Sequence, residues 1–159
     1  MSKAKEVKKL EKRAGELWKL VCLERDGQEC MVKKHFPEIA IEHNGPLQVD
    51  HCITRKNKHL FFEPTNGTVV CASCNRAKHF KQKSIDRAID DIVKQREGED
   101  HFNFMVAVDQ RMEPNLNWGK IEWLEMMIEK LEAILKKEKN DNTNANNPRI
   151  ILPGSKECI

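Results

Sequence analysis

The chain predicts an α+β fold, mostly helical, in which long helices at both ends enclose a small core. Three observations carry that expectation. Val7, Leu10, Ala14, Leu17 and Val21 alternate spacings of three and four, the seam of a packed helix. Ile121, Leu124, Ile128, Leu131 and Leu135 repeat the pattern near the other end. Between them, Leu47–Val49 and Thr68–Val70 are apolar runs too short for helices and suited to a pair of strands.

The first helix is expected over 4–24, with Trp18 widening its stripe, Cys22 a packed thiol, and Arg25-Asp26-Gly27 as its stop. Ile39 and Ile41 hint at a strand, and Asn44-Gly45-Pro46 reads as a turn. A second helix opens at Cys74–Asn75. Ser84 is expected to cap a third, with Ile85, Ala88, Ile89 and Ile92 on one face and Gly98 as its end. Residues 101–112 are expected to form a short helix. The last long helix is placed near 117–139, flanked by Trp118 and Trp123, whose role is core packing. The organisation is therefore an N-terminal helix over 1–26, a core over 27–83, a helical region over 84–139, and a polar linker and tail over 140–159. The stretch NDNTNANN has nothing to bury.

Composition narrows the class. Charged residues make up 33% of the 159 and mean hydropathy is −0.68, so the core is modest and no apolar run is long enough for a membrane span. The start, MSKAKEVKKLEKR, is too charged for a secretory apolar region, which implies a cytoplasmic, reducing setting. There, six cysteines are thiols or metal ligands rather than disulfides. Net charge is only +3, yet residues 50–83 carry seven Lys/Arg against Asp50 and Glu63. Residues 84–139 reverse this, nine basic against thirteen acidic. Positive charge therefore gathers around the middle of the chain, as a phosphate-binding surface requires.

That middle reads LQVDHCITRKNKHLFFEPTNGTVVCASCNRAKHF, residues 47–80. Asp50 is a hard oxygen ligand and Asn75 offers an amide oxygen, both suited to Mg²⁺ or Mn²⁺. On a helix Asn75 and His79 share a face. A neutral imidazole such as His51 is a natural general base, and Asn66 is placed to hold the loop after it by backbone hydrogen bonds. Arg55, Lys56, Lys58 and Lys78 are the candidate phosphate contacts. Cys71 and Cys74 suit half of a zinc site. Cys30 is the third candidate, and His35 is favoured as the fourth, with His43 and Cys22 as competitors.

Asp-His, then Asn, then Cys-x-x-Cys-Asn resembles the HNH (His-Me finger, ββα-metal) endonucleases. Arg55 with LFFEPTN and CASCN is similar to the NinG/Rap-type phage recombination proteins, and CASCN also to the endonuclease VII-type phage resolvases. The resemblance covers roughly residues 30–80, with a weaker helical similarity to about 139. It implies a zinc-stabilised ββα-metal core and metal-dependent cleavage of DNA, branched or otherwise structured, with Asp50 and Asn75 as ligands and His51 as base. One departure stands out: where many such proteins carry a Cys-x-x-Cys knuckle, the third residue after Cys30 is Lys33. Two other readings stay open. One is a non-catalytic, zinc-shaped module that binds DNA or assists assembly; the other is a nicking, homing or packaging nuclease. The two seams also motivate a homodimer.

Overall fold

The computed structural model describes residues 2–53, 56–111 and 119–145, with backbone alone over 138–145. Helix α1 spans Lys3–Asp26, α2 Met31–His35, β1 Leu47–His51 and β2 Gly67–Cys71, with a 3-10 turn at Pro64–Asn66 before β2. Then come α3 (Ala72–His79), α4 (Lys83–Glu97), α5 (Glu99–Gln110) and α6 (Ile121–Ala145). Among the described residues no helix is long and apolar enough to cross a membrane.

β1 and β2 pair antiparallel, Leu47 opposite Cys71 and His51 opposite Gly67. β2 runs directly into α3, giving the expected strand–strand–helix order. Two strands cannot bury both faces alone. Here α1, α4 and α6 supply the cover: Ala14, Trp18, Val21, Ile85, Ile89, Leu124, Ile128 and Leu131 form one apolar cluster with Val49, Val69 and Val70. Each of the Val, Ile and Leu side chains among them contributes about 1.5–3 kcal/mol on full burial. The α1 and α6 seams thus meet within one chain, joined at their rim by an Arg13–Glu132 ion pair.

Trp18 is the hinge pin of this packing. Its indole N–H donates to Glu63 O at 3.0 Å, and its ring stacks on His51 at 4.3 Å between centroids. Gly67 is the residue this closeness demands. A Cβ there would sit 2.5 Å from Cys22 Sγ and 2.9 Å from the Trp18 ring.

A polar clasp holds the start of β2 from the other side. Asp26, 4% exposed, accepts from the Val69 N–H at 3.0 Å and pairs with Arg25 and with Arg96 of α4. Both guanidinium groups donate to Gly67 O. In the sequence Arg25-Asp26 reads only as a helix end. A smaller cluster of Leu60, Val93, Phe102 and Met105 pins the loop after β1 to α4 and α5.

Several local expectations need correction. Gly27 does end α1, at φ +73°. Ser84 does not cap α4, however: the helix begins at Lys83 after Gln82. Residues 39–41 form no strand. α3 starts at Ala72, two residues early, because Cys71 takes the extended cap position. The short helix expected over 101–112 is α5, which runs from Glu99 to Gln110, and α6 continues as helical backbone to Ala145, into the asparagine-rich stretch expected as linker. Trp118 and residues 146–159 of the tail lie outside the described residues.

Candidate functional site

Cys30, His43, Cys71 and Cys74 converge. One ligand atom from each lies within 4.8 Å of the others. Cys30 caps α2, Cys71 ends β2, and Cys74 sits in the first turn of α3. His43 Nδ1 lies 3.2 Å from Cys74 Sγ, 3.9 Å from Cys30 Sγ and 4.0 Å from Cys71 Sγ, and Cys30 and Cys74 are 3.8 Å apart. Tetrahedral zinc with ligands at ~2.0–2.3 Å places its donors roughly 3.3–3.8 Å apart. The donor set and spacing therefore fit a structural zinc ion.

The thiols of the cluster influence one another. Burial alone would raise the Cys71 thiol, but hydrogen bonds from Cys74, Cys30 and the Ser73 backbone bring it below its ordinary value. Burial, with Cys30 and Cys71 beside it, pushes Cys74 up. Cys71 and Cys74 are thus pushed in opposite directions, and a zinc ion between them would hold both as thiolates. Burial, and then Lys33, lower His43 and favour the neutral imidazole that binds metal.

The favoured fourth ligand, His35, is corrected to His43. Residues 31–35 coil into a helix, which carries His35 roughly 7 Å along its axis from Cys30 and leaves it exposed. Segment 36–46 instead folds back onto the head of α3. The Ala72 N–H donates to Pro46 O at 3.0 Å and Ser73 N–H to Asn44 O at 3.3 Å. Gly45, at φ +80°, permits this, since a Cβ there would meet Ala72 Cβ at 2.9 Å.

The second group of candidates surrounds β1. Its alternating faces separate neighbours. Gln48 and Asp50 meet α3: Gln48 accepts a hydrogen bond from Asn75, and Asp50 Oδ2 lies 2.7 Å from Lys78 Nζ. His51 turns to the α1 side, against Trp18. Its Nε2 is 2.9 Å from Phe61 O. A carbonyl only accepts, so Nε2 carries the proton and Nδ1 carries the basic lone pair. His51, Gln48 and Asn75 nevertheless line one groove of about 750 Å³ along the outer edge of β1, closed on its far side by Glu11, Lys12 and Glu16 of α1.

Asn66 holds the loop as expected. Fully buried, its amide accepts from Ile53 N–H at 2.7 Å and donates to Ile53 O at 3.3 Å and Leu60 O at 3.1 Å.

For the divalent ion the fit is partial. Asn75 Oδ1 is buried with no hydrogen-bond partner among the described residues. The Asp50 carboxylate, by contrast, is matched by Lys78, so an ion could use it only after that ammonium moves. His79 is exposed at the last residue of α3 and joins no His/Cys/Asp/Glu cluster among the described residues.

Lys78 is likewise corrected as a phosphate contact, for its ammonium turns inward to Asp50 and His51 O. Lys58 lies 4.5 Å over the Phe61 ring, Lys56 is exposed, and Arg55 lies outside the described residues. Asp90 of α4 was not anticipated. It accepts from the Cys52 thiol at 3.2 Å, and burial raises its carboxyl against the pull of that bond and of Lys78. Nothing in the spacing of Asp90 along α4 separates it from an ordinary surface carboxylate.

Compared with protein-family models, curated proteins and solved structures, the chain matches none.

Proposed function

We propose that the chain is an HNH-type endonuclease that hydrolyses DNA phosphodiester bonds, dependent on Mg²⁺ or Mn²⁺ and held in shape by zinc. One observation carries the reading. His51, its proton held on Nε2 by Phe61 O, shares a groove with Asn75, whose buried amide oxygen has no partner among the described residues. His51 Nδ1 is the atom that would take a proton from water as its oxygen attacks phosphorus and the ester oxygen leaves. A divalent ion held by Asn75, and by Asp50 once the Lys78 ammonium has moved aside, would supply positive charge to the scissile phosphate and the leaving oxygen. Asn66 keeps the loop following His51 in register, and Trp18 fixes the imidazole plane. Branched DNA of the phage recombination type is the preferred substrate class, from the likeness of LFFEPTN and CASCN.

The test is nicking of supercoiled plasmid and cleavage of a four-way junction in Mg²⁺, with His51→Ala beside wild type. Loss of roughly 10²–10⁴ in rate, with zinc content and fold retained, supports the role. Equal cleavage by His51→Ala overturns it.

The Lys78–Asp50 pair favours a second reading, a zinc-shaped DNA-binding module without catalysis. A chain that binds DNA yet cleaves neither substrate with either ion is that module.

A further inference from the structure

The α3–α4 turn presents a phenylalanine that the fold does not use. Phe80 is 81% exposed and belongs to neither apolar cluster. Burying an aromatic ring is among the larger gains open to a small core, so a ring left outside on a well-built turn has its explanation outside the chain. The turn is built. Phe80 N–H donates to Arg76 O at 3.0 Å, Lys81 N–H to Lys78 O at 2.8 Å and Gln82 N–H to Ala77 O at 3.1 Å. Lys81 sits at φ +61°, in the left-handed region that a side-chain-bearing residue rarely occupies.

Charge gives the partner its sign. Residues 71–85 contain Arg76, Lys78, Lys81 and Lys83 and no Asp or Glu. Lys78 is turned inward, whereas Arg76, Lys81 and Lys83 are exposed, and Asp86, half-buried in the first turn of α4, is the first carboxylate after them. Phe104, another exposed ring, stands instead on α5 with Glu99, Asp100 and Asp109. An exposed aromatic among cations matches the two surfaces of a single nucleic-acid strand, a flat base and its phosphates. Duplex DNA does not match it as well, since its bases already stack on one another.

We infer that Phe80 is a stacking platform for an unpaired base, with Arg76, Lys81 and Lys83 holding the adjoining phosphates. It rests on the reading of nucleic acid as partner and adds a preference for single-stranded or flared substrate. Phe80 lies five residues beyond Asn75, roughly 7.5 Å along the helix axis.

The experiment measures affinity by fluorescence anisotropy for a dT oligonucleotide, a flared duplex and a blunt duplex, without divalent ion, over a salt series. Phe80→Ala, at an exposed position, leaves the fold intact. It is expected to lose roughly ten-fold on the first two probes, to keep the salt slope, and to match wild type on blunt duplex, while Phe80→Trp retains binding. Quenching of 2-aminopurine in the flared arm should disappear in Phe80→Ala. Unchanged affinity of Phe80→Ala for the oligonucleotide overturns the inference and leaves the nuclease reading standing. Wild type that binds none of the probes overturns both. Tighter, Phe80-dependent binding of a polyglutamate peptide transfers the surface to a protein partner and overturns it too.

Discussion

The Lys78 ammonium of α3 lies 2.7 Å from the Asp50 carboxylate of β1, where the two side chains are 20% and 5% exposed. Lys78 also donates to the backbone carbonyl of His51 at 2.6 Å. A buried carboxylate needs a partner cation, and the chain supplies its own.

Removing that cation should be felt twice. Lys78→Met should lose about 3 kcal/mol of stability in zinc-loaded protein without added Mn²⁺, because a buried charge is left unmatched. Mn²⁺ should restore part of the loss, and the restoration should vanish in Asp50→Asn/Lys78→Met. Urea denaturation with and without Mn²⁺ reads both. Indifference of Lys78→Met to Mn²⁺ would count against Asp50 as a ligand.

Zinc should be present at about one ion per chain, as a four-ligand site requires. Cys71→Ser and His43→Ala should lose it, and His35→Ala should keep it; metal analysis of the purified variants decides. Strong chelator should lower the melting temperature of the wild type, since binding energy here is folding energy.

Asn66→Ala should cost about 3 kcal/mol, the sum of three lost hydrogen bonds with their backbone partners left inside. The Ile53 amide, which donates to Asn66 Oδ1 at 2.7 Å, should lose its hydrogen-exchange protection ahead of the β1 amides. Uniform loss across the whole domain would show that the loop is not held locally.

Cys22 is pushed by burial from 9.0 up to about 12. The folded state therefore holds a proton that the unfolded state gives up. Its contribution to stability is complete below pH ~9 and fades as pH rises toward 12. At pH 8 the thiol should react with iodoacetamide far more slowly in native protein than in urea. Mass mapping of the labelled peptide settles the point, and rapid native labelling of Cys22 would place it outside the core.

What the sequence determined by itself is local or periodic. The seams of α1 and α6 follow from the spacing of apolar residues, the stop at Gly27 from glycine's access to positive φ, and β1 and β2 from two short apolar runs. Cys71 and Cys74 announced themselves because a one-turn spacing aims two sulfurs at one point. Asn66 was legible through its place before β2 and its amide, which can both donate and accept.

The tertiary structure alone decided which distant groups meet. His43 displaced His35 because residues 31–35 spend their length on a helix, while Asn44-Gly45-Pro46 turns the chain back onto α3. Asp50 and His51, adjacent in sequence, were parted by the alternation of a strand packed on both faces. That alternation gave Asp50 to Lys78 and His51 to Trp18. The Arg25–Asp26–Arg96 clasp joins residues about seventy positions apart, and no local pattern encodes such a pair. Charge and hydrogen-bond partners act over a few ångströms of space, and only the packing of α1, α4 and α6 around the hairpin brings those ångströms about.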